Sequence, residues 1–107
     1  MYKDIITYSL AEGVSEEQLL KVAGRIVKDW MSQQPGFIKW VINKNSDQGY
    51  TDIVYWDSKE AAQKAEQEMV NIPDADEWRA CYKEGTIESK SLNEVASFGK
   101  GDLWKIL

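Results

Sequence analysis

The sequence predicts an α+β domain with the element order β-α-β-β-α-β. Three observations carry this reading. The apolar spacing alternates between a period of two and a helical period along the 107 residues. Capping signals at Ser15 and at Asp57–Ser58 each precede a helical pattern. The polar run KNSDQG, at 44–49, separates two strand-like stretches and implies a hairpin.

Residues 2–10, YKDIITYSL, are β-branched and aromatic and read as the first strand. Ile6, Tyr8 and Leu10 share one face and Ile5 and Thr7 the other. Gly13 breaks the chain. Ser15 with Gln18 forms a capping box, and Glu16 and Glu17 suit the positive end of a helix. That helix is expected from about 16 to 33, with a stripe of Leu19, Leu20, Val22, Ala23, Ile26, Val27, Trp30 and Met31. Pro35-Gly36 stops it. The second strand, FIKWVIN at 37–43, is expected to show Ile38, Trp40 and Ile42 on one face and Phe37 and Val41 on the other. The third strand spans 50–56. A second helix follows at about 58–70, with Ala61, Ala62, Ala65 and Met69 inward, where small residues let a helix approach a sheet. Pro73 ends that segment. A short helix over 74–82 and a less apolar strand over 85–92 complete the order.

This is the split-βαβ, ferredoxin-like arrangement, with a four-stranded antiparallel sheet and both main helices on one face. The other face would be bare, although it carries large apolar residues, and such area marks an interface. A homodimer would cover it. Residues 1–97 form the expected domain. Residues 98–107, SFGKGDLWKIL less its first residue, form an apolar tail that either crosses to the partner or lies over its own subunit.

Composition removes several function classes. A net charge of −5 without a basic block argues against nucleic acid and against an anionic membrane surface. No apolar run approaches the ~20 residues needed to span a bilayer, and the N-terminal residues lack a signal-peptide pattern. Cys81 is the only cysteine, so no internal disulfide forms and a reducing, cytoplasmic setting is expected. The chain has no histidine, which removes Ser-His and Cys-His nucleophiles and His-ligated metal or haem. No metal site is expected: Asp74, Asp76 and Glu77 read as an acid-rich helix start.

The candidate pocket residues are aromatic. Tyr8, Trp40, Tyr55, Trp78 and Tyr82 could line a cavity for a flat apolar ligand, or they could be ordinary core. Trp56 reads first as an anchor between strand and helix and second as a substrate-stacking group. Among polar residues, Asp4, Asp52, Arg79 and Tyr82 are the candidates. A carboxylate could accept a phenolic proton and Arg79 could stabilise the oxyanion. Solvated surface charge is the simpler reading of each. No residue is singled out as catalytic.

P-G-F-I at 35–38, the hairpin after it, and Y-W-D-S-K-E-A-A at 55–62 resemble the antibiotic-biosynthesis-monooxygenase-like family of dimeric α/β-barrel proteins. The resemblance covers residues 2–92 by element order, and its motifs, G-F and W-x-S-x-E-A, are short. It implies a homodimer with one cavity per subunit between sheet and helices. It also implies a small-molecule-binding protein that needs no cofactor; if the protein is an enzyme, the activity the resemblance implies is cofactor-independent oxygenation of an electron-rich aromatic. The alternative is a non-catalytic dimeric binding or stress-response module. The family's haem-degrading branch carries an Asn, a Trp and a His at positions that match Ile6, Ala65 and Ala75 here. Haem degradation is therefore not expected.

Overall fold

A computed structural model describes residues 1–100 of the chain. Its strands are β1 (Tyr2–Tyr8), β2 (Phe37–Lys44), β3 (Tyr50–Trp56) and β4 (Glu88–Asn93). Its helices are α1 (Glu16–Asp29), α2 (Lys59–Glu68) and the short α3 (Ala75–Arg79). The sheet order is β2-β3-β1-β4 and every neighbouring pair is antiparallel, which is the ferredoxin-like arrangement.

Local chemistry sets the helix ends. The Ser15 hydroxyl accepts from the Gln18 N–H at 3.1 Å, and the Ser58 hydroxyl accepts from the Ala61 N–H at 3.1 Å. Ser58, rather than Asp57, is the cap of α2. α1 buries Leu19, Val22, Ala23 and Ile26 in the core, whereas Leu20, expected in the stripe, is exposed because it lies off that face. It ends at Asp29, four residues before the expected Gln33, because Trp30 leaves helical geometry and Met31–Gln33 tightens into a 3-10 turn. Trp30 and Met31 stay buried, so the apolar stripe outlasts the helix that began it. α2 likewise passes into a 3-10 turn at Met69–Asn71 before Pro73.

Two features of β2 determine what faces the core. Gly36 adopts a φ of 84° just before the strand. A Cβ there would lie 2.5 Å from the Ala61 Cβ and 2.5 Å from Asp57 Oδ1, so glycine permits the approach of α2. The Asp57 N–H also donates to the Gly36 carbonyl at 2.8 Å. The strand then bulges between Phe37 and Lys39. The extra residue reverses the alternation, so Phe37 pairs with Trp56 and packs on it edge-on at 5.7 Å, while Ile38 is exposed. The expected grouping of Ile38 with Trp40 and Ile42 is thereby corrected: Phe37 takes that role.

Alternation divides the sheet. Tyr50, Asp52, Val54 and Trp56 of β3 are buried on the helix side, beside Tyr2 and Tyr8 of β1. The opposite side carries Ile5, Val41, Ile53 and Tyr55, each partly buried, with Lys3 and Lys39 among them. All six residues of β4 are exposed. β1 stops at Tyr8, and Leu10 makes only an isolated bridge to Tyr82. Val95 and Phe98 are exposed beyond β4, and the question of where the apolar tail goes falls mainly on residues 101–107, outside the described residues. Among the described residues, no helix is long and apolar enough to cross a membrane.

Candidate functional site

Between the helix side of the sheet and α2 and α3 lies a cavity of about 340 Å³. Its existence follows from side-chain size. Ala62 and Ala65 are the buried residues of α2, and both line the cavity. Methyl groups there leave room that larger residues would fill. The sheet contributes Ile6, Trp40, Asp52, Val54 and Trp56, and the α3 region contributes Trp78 and Tyr82.

The walls are aromatic and ordered by contacts between rings. Trp40 meets Trp78 edge-on at 5.8 Å, and Trp78 meets Tyr82 edge-on at 6.0 Å. The Trp78 indole N–H donates to the Tyr82 hydroxyl at 2.7 Å. Trp78 lies in α3 and Tyr82 three residues past its end, after turns closed by the Cys81 N–H on the Trp78 carbonyl and the Tyr82 N–H on the Arg79 carbonyl. Tyr82 in turn tilts against Tyr8 at 4.3 Å.

Asp52 is the polar centre of the site. It is 1% exposed and lines the cavity from the middle of β3. Its Oδ1 accepts from the Tyr8 hydroxyl at 2.8 Å and its Oδ2 from the Trp40 indole N–H at 3.0 Å. Burial pushes the carboxyl up to about 6, while the two hydrogen bonds favour the charged form and oppose that rise. Burial, followed by the charge of Asp52, pushes the Tyr8 phenol far up; the same two causes raise Tyr82. Both phenols therefore hold their protons near neutral pH. The reading of Asp52 as solvated surface charge is overturned.

The sequence candidates separate cleanly. Trp40, Trp56, Trp78 and Tyr82 line the cavity. Tyr8 lies behind the wall and reaches the site through Asp52. Tyr55 points to the opposite sheet face, where Lys39 lies 4.7 Å and Lys3 5.5 Å from its ring centre. Its odd position in β3 puts it out of phase with Asp52 and Trp56. Arg79 is exposed and pairs with Asp76 at 3.4 Å, so it is not an oxyanion partner in this arrangement. Asp4 lines the cavity and accepts from the Ser91 hydroxyl at 2.8 Å. Trp56 both anchors Phe37 and lines the cavity, and its indole N–H is buried without a partner among the described residues. Ile6 and Ala65 line the cavity with apolar side chains. Cys81 is fully buried, and burial raises its thiol, so it stays protonated. Among the described residues, no cluster of three or more His, Cys, Asp or Glu side chains is placed to hold a metal ion.

No protein-family model matches the sequence, and no curated protein matches it. Solved structures do match in shape. SnoaB, a cofactor-independent oxygenase from Streptomyces nogalater, superposes with a TM-score of 0.73 at 18% identity, over 92% of this chain and 97% of that one. The monooxygenase from the gene ActVA-Orf6 of Streptomyces coelicolor, solved with nanaomycin D, gives 0.67 at 13% identity, over 91% and 89% of the two chains. The haem degrader MhuD of Mycobacterium tuberculosis, solved with two haems in its active site, gives 0.60 at 17% identity, over 92% and 100%. At these identities the likeness is one of fold, and the fold of this chain is that of the antibiotic-biosynthesis-monooxygenase-like proteins, which the matching structures from Chloroflexus aurantiacus and Nitrosomonas europaea share.

Proposed function

We propose that the protein is a small-molecule-binding homodimer whose cavity takes a flat, electron-rich aromatic ligand and supports its oxygenation without a bound cofactor. One observation carries this reading: an aromatic-walled cavity with a single buried carboxylate at its centre. A volume of about 340 Å³ lies at the small end of ligand sites and suits a bicyclic or tricyclic ring system. Trp40, Trp78 and Tyr82 offer ring edges and faces to such a ligand. The partly buried Ile5, Val41 and Ile53 on the opposite sheet face support pairing of two copies. The lone buried Cys81 suits a reducing, cytoplasmic setting.

The chemistry needs little from the protein. A hydroxyarene that gives its O–H proton to a carboxylate becomes an electron-rich phenolate, which can pass an electron to O₂. At a ring carbon that carries two hydrogens in its keto form, O₂ supplies one oxygen to the new carbonyl. The other leaves as water with both hydrogens. The protein fixes the ring's pose, excludes water and holds the proton acceptor. Asp52 suits that last role because it is ionised above about pH 6.

The test is anaerobic mixing with hydroquinones and polycyclic phenols, followed by admission of O₂. O₂ uptake above the buffer rate is expected for at least one substrate. Uptake at the buffer rate throughout, with no quenching of tryptophan fluorescence, would end the reading. Quenching without uptake would leave a non-catalytic binding module. That second reading has its own support, because the hydrogen bonds from Tyr8 and Trp40 favour the charged form of Asp52 and so weaken it as a base.

A further inference from the structure

We infer that the Asp52 carboxylate is the group by which the cavity reads an ionisable hydroxyl on its ligand, with Tyr8 and Trp40 as positioning residues that aim it. The inference rests on the proposal that the cavity binds an aromatic ligand, and it assigns what that ligand must carry.

The argument is one of unmet hydrogen-bonding capacity. An ionised carboxylate offers about four acceptor positions. Tyr8 takes one on Oδ1 and Trp40 one on Oδ2, and none of the ion pairs among the described residues involves Asp52. A buried carboxylate with two neutral donors and no cation is incompletely compensated. A ligand O–H would supply a further donor from the cavity side. Both existing donors come from neighbouring strands, β1 and β2, so they hold the carboxylate from the sheet and fix its rotation about the side-chain axis. The hydroxyl site is therefore defined by rigid elements.

The surroundings leave Asp52 as the proton acceptor. The charged or titratable groups around Asp52 are the Tyr8 phenol of β1, the Tyr82 phenol after α3, and Asp4 of β1, Glu66 of α2 and Lys90 of β4 at the cavity wall. Trp40 of β2 is polar but does not titrate. The two phenols are held protonated, so neither competes for the role of proton acceptor. As the carboxyl titrates near 6, the hydroxyl-reading state fills as pH rises through that value.

Calorimetric titration of the full chain with a naphthol and with its methyl ether tests this between about pH 5 and 8, where an ordinary phenol keeps its proton. The naphthol is expected to bind about ten-fold more tightly than the ether above pH 6. That preference should fade below pH 6, while the ether shows no step. Asp52→Asn, nearly isosteric, should abolish the step. Tyr8→Phe removes a donor to the charged form, so the step should move to higher pH, which a merely structural role for Tyr8 would not produce. If Asp52→Asn fails to fold, the wild-type step and the Tyr8→Phe shift decide the matter. Equal binding of naphthol and ether, with no step, overturns the inference while leaving the cavity proposal standing. Tighter binding of a naphthylmethylammonium ion than of the naphthol also overturns it, because the carboxylate would then be reading charge. Failure of both neutral probes to bind overturns the cavity proposal and the inference together.

Discussion

The Tyr8 hydroxyl and the Asp52 carboxylate meet at 2.8 Å although they are not direct cross-strand partners: Tyr8 pairs with Tyr50, and Asp52 with Ile6. The bond runs diagonally between β1 and β3, within reach of a long side chain. Asp52→Ala is expected to leave both Tyr8 and Trp40 without an acceptor. Each stranded buried donor costs about 1–3 kcal/mol. Asp52→Asn, which keeps an acceptor oxygen, should lose much less. Urea unfolding of the two variants checks this, and equal losses would show that the hydrogen bonds do not stabilise the fold.

Burial of Asp52 has a sign in the pH dependence of stability. The carboxyl is raised from its ordinary value of 3.8 to about 6, so the folded state holds the proton more tightly than the unfolded chain does. Its favourable contribution is complete below 3.8 and is lost as pH rises through about 6. Wild type should therefore lose stability relative to Asp52→Asn between about pH 4 and 6 and run parallel to it above. Chemical denaturation at several pH values measures the difference. A flat difference would mean that Asp52 titrates normally. Glu16 acts in the opposite sense, since bonds from Lys44 and then Tyr50 hold its carboxyl below the usual range, and the subtraction removes that common background.

Two glycines should respond oppositely to alanine. Gly36→Ala places a Cβ against Ala61 and Asp57 at a left-handed φ, so it should destabilise by more than the ~1–2 kcal/mol of the backbone penalty alone. Gly24 lies in α1 with nothing within 4 Å of a built Cβ. Gly24→Ala should stabilise by about 0.5–1 kcal/mol. Thermal unfolding of both variants is sufficient, and a stable Gly36→Ala protein would show that α2 is free to retreat from the sheet.

The proposed homodimer predicts a mass and a way to halve it. Ile53 is at the middle of the outward sheet face, paired with Ile5 on one side and Val41 on the other. Wild type should sediment as two chains at low micromolar concentration, and Ile53→Lys as one. A single-chain mass for wild type would contradict the proposal.

Much of the fold was legible because period-two and period-3.6 patterns and both serine caps are local signals. What was missed has physical reasons. The bulge at Phe37–Lys39 is a matter of pairing with β3, and it follows directly on Gly36, which packs against Ala61 of α2; it turned Phe37 inward against expectation. The early end of α1 left the stripe unbroken, so apolar spacing could not reveal it. In the site, Asp52 was misread although a signal was present. It shares the phase of Tyr50, Val54 and Trp56, which places it on the buried face, where polar tips of Tyr and Trp are its natural partners. The same parity argument excludes Tyr55. Arg79 failed for a helical reason: Trp78 faces the cavity, and Arg79, the next residue of α3, is turned about 100° from it.

The irregularity in β2 has a consequence for how this chain tolerates changes in length. Ile38 is the surplus residue: without it, Phe37 would still oppose Trp56, and Lys39 would still oppose Tyr55. Shortening the strand there would leave the downstream partners in place. Removing Val41 instead would invert Ile42 and Lys44 and carry Lys44 away from Glu16. One position of this strand is thus a length adjuster, while its neighbours a few residues on admit no such slack.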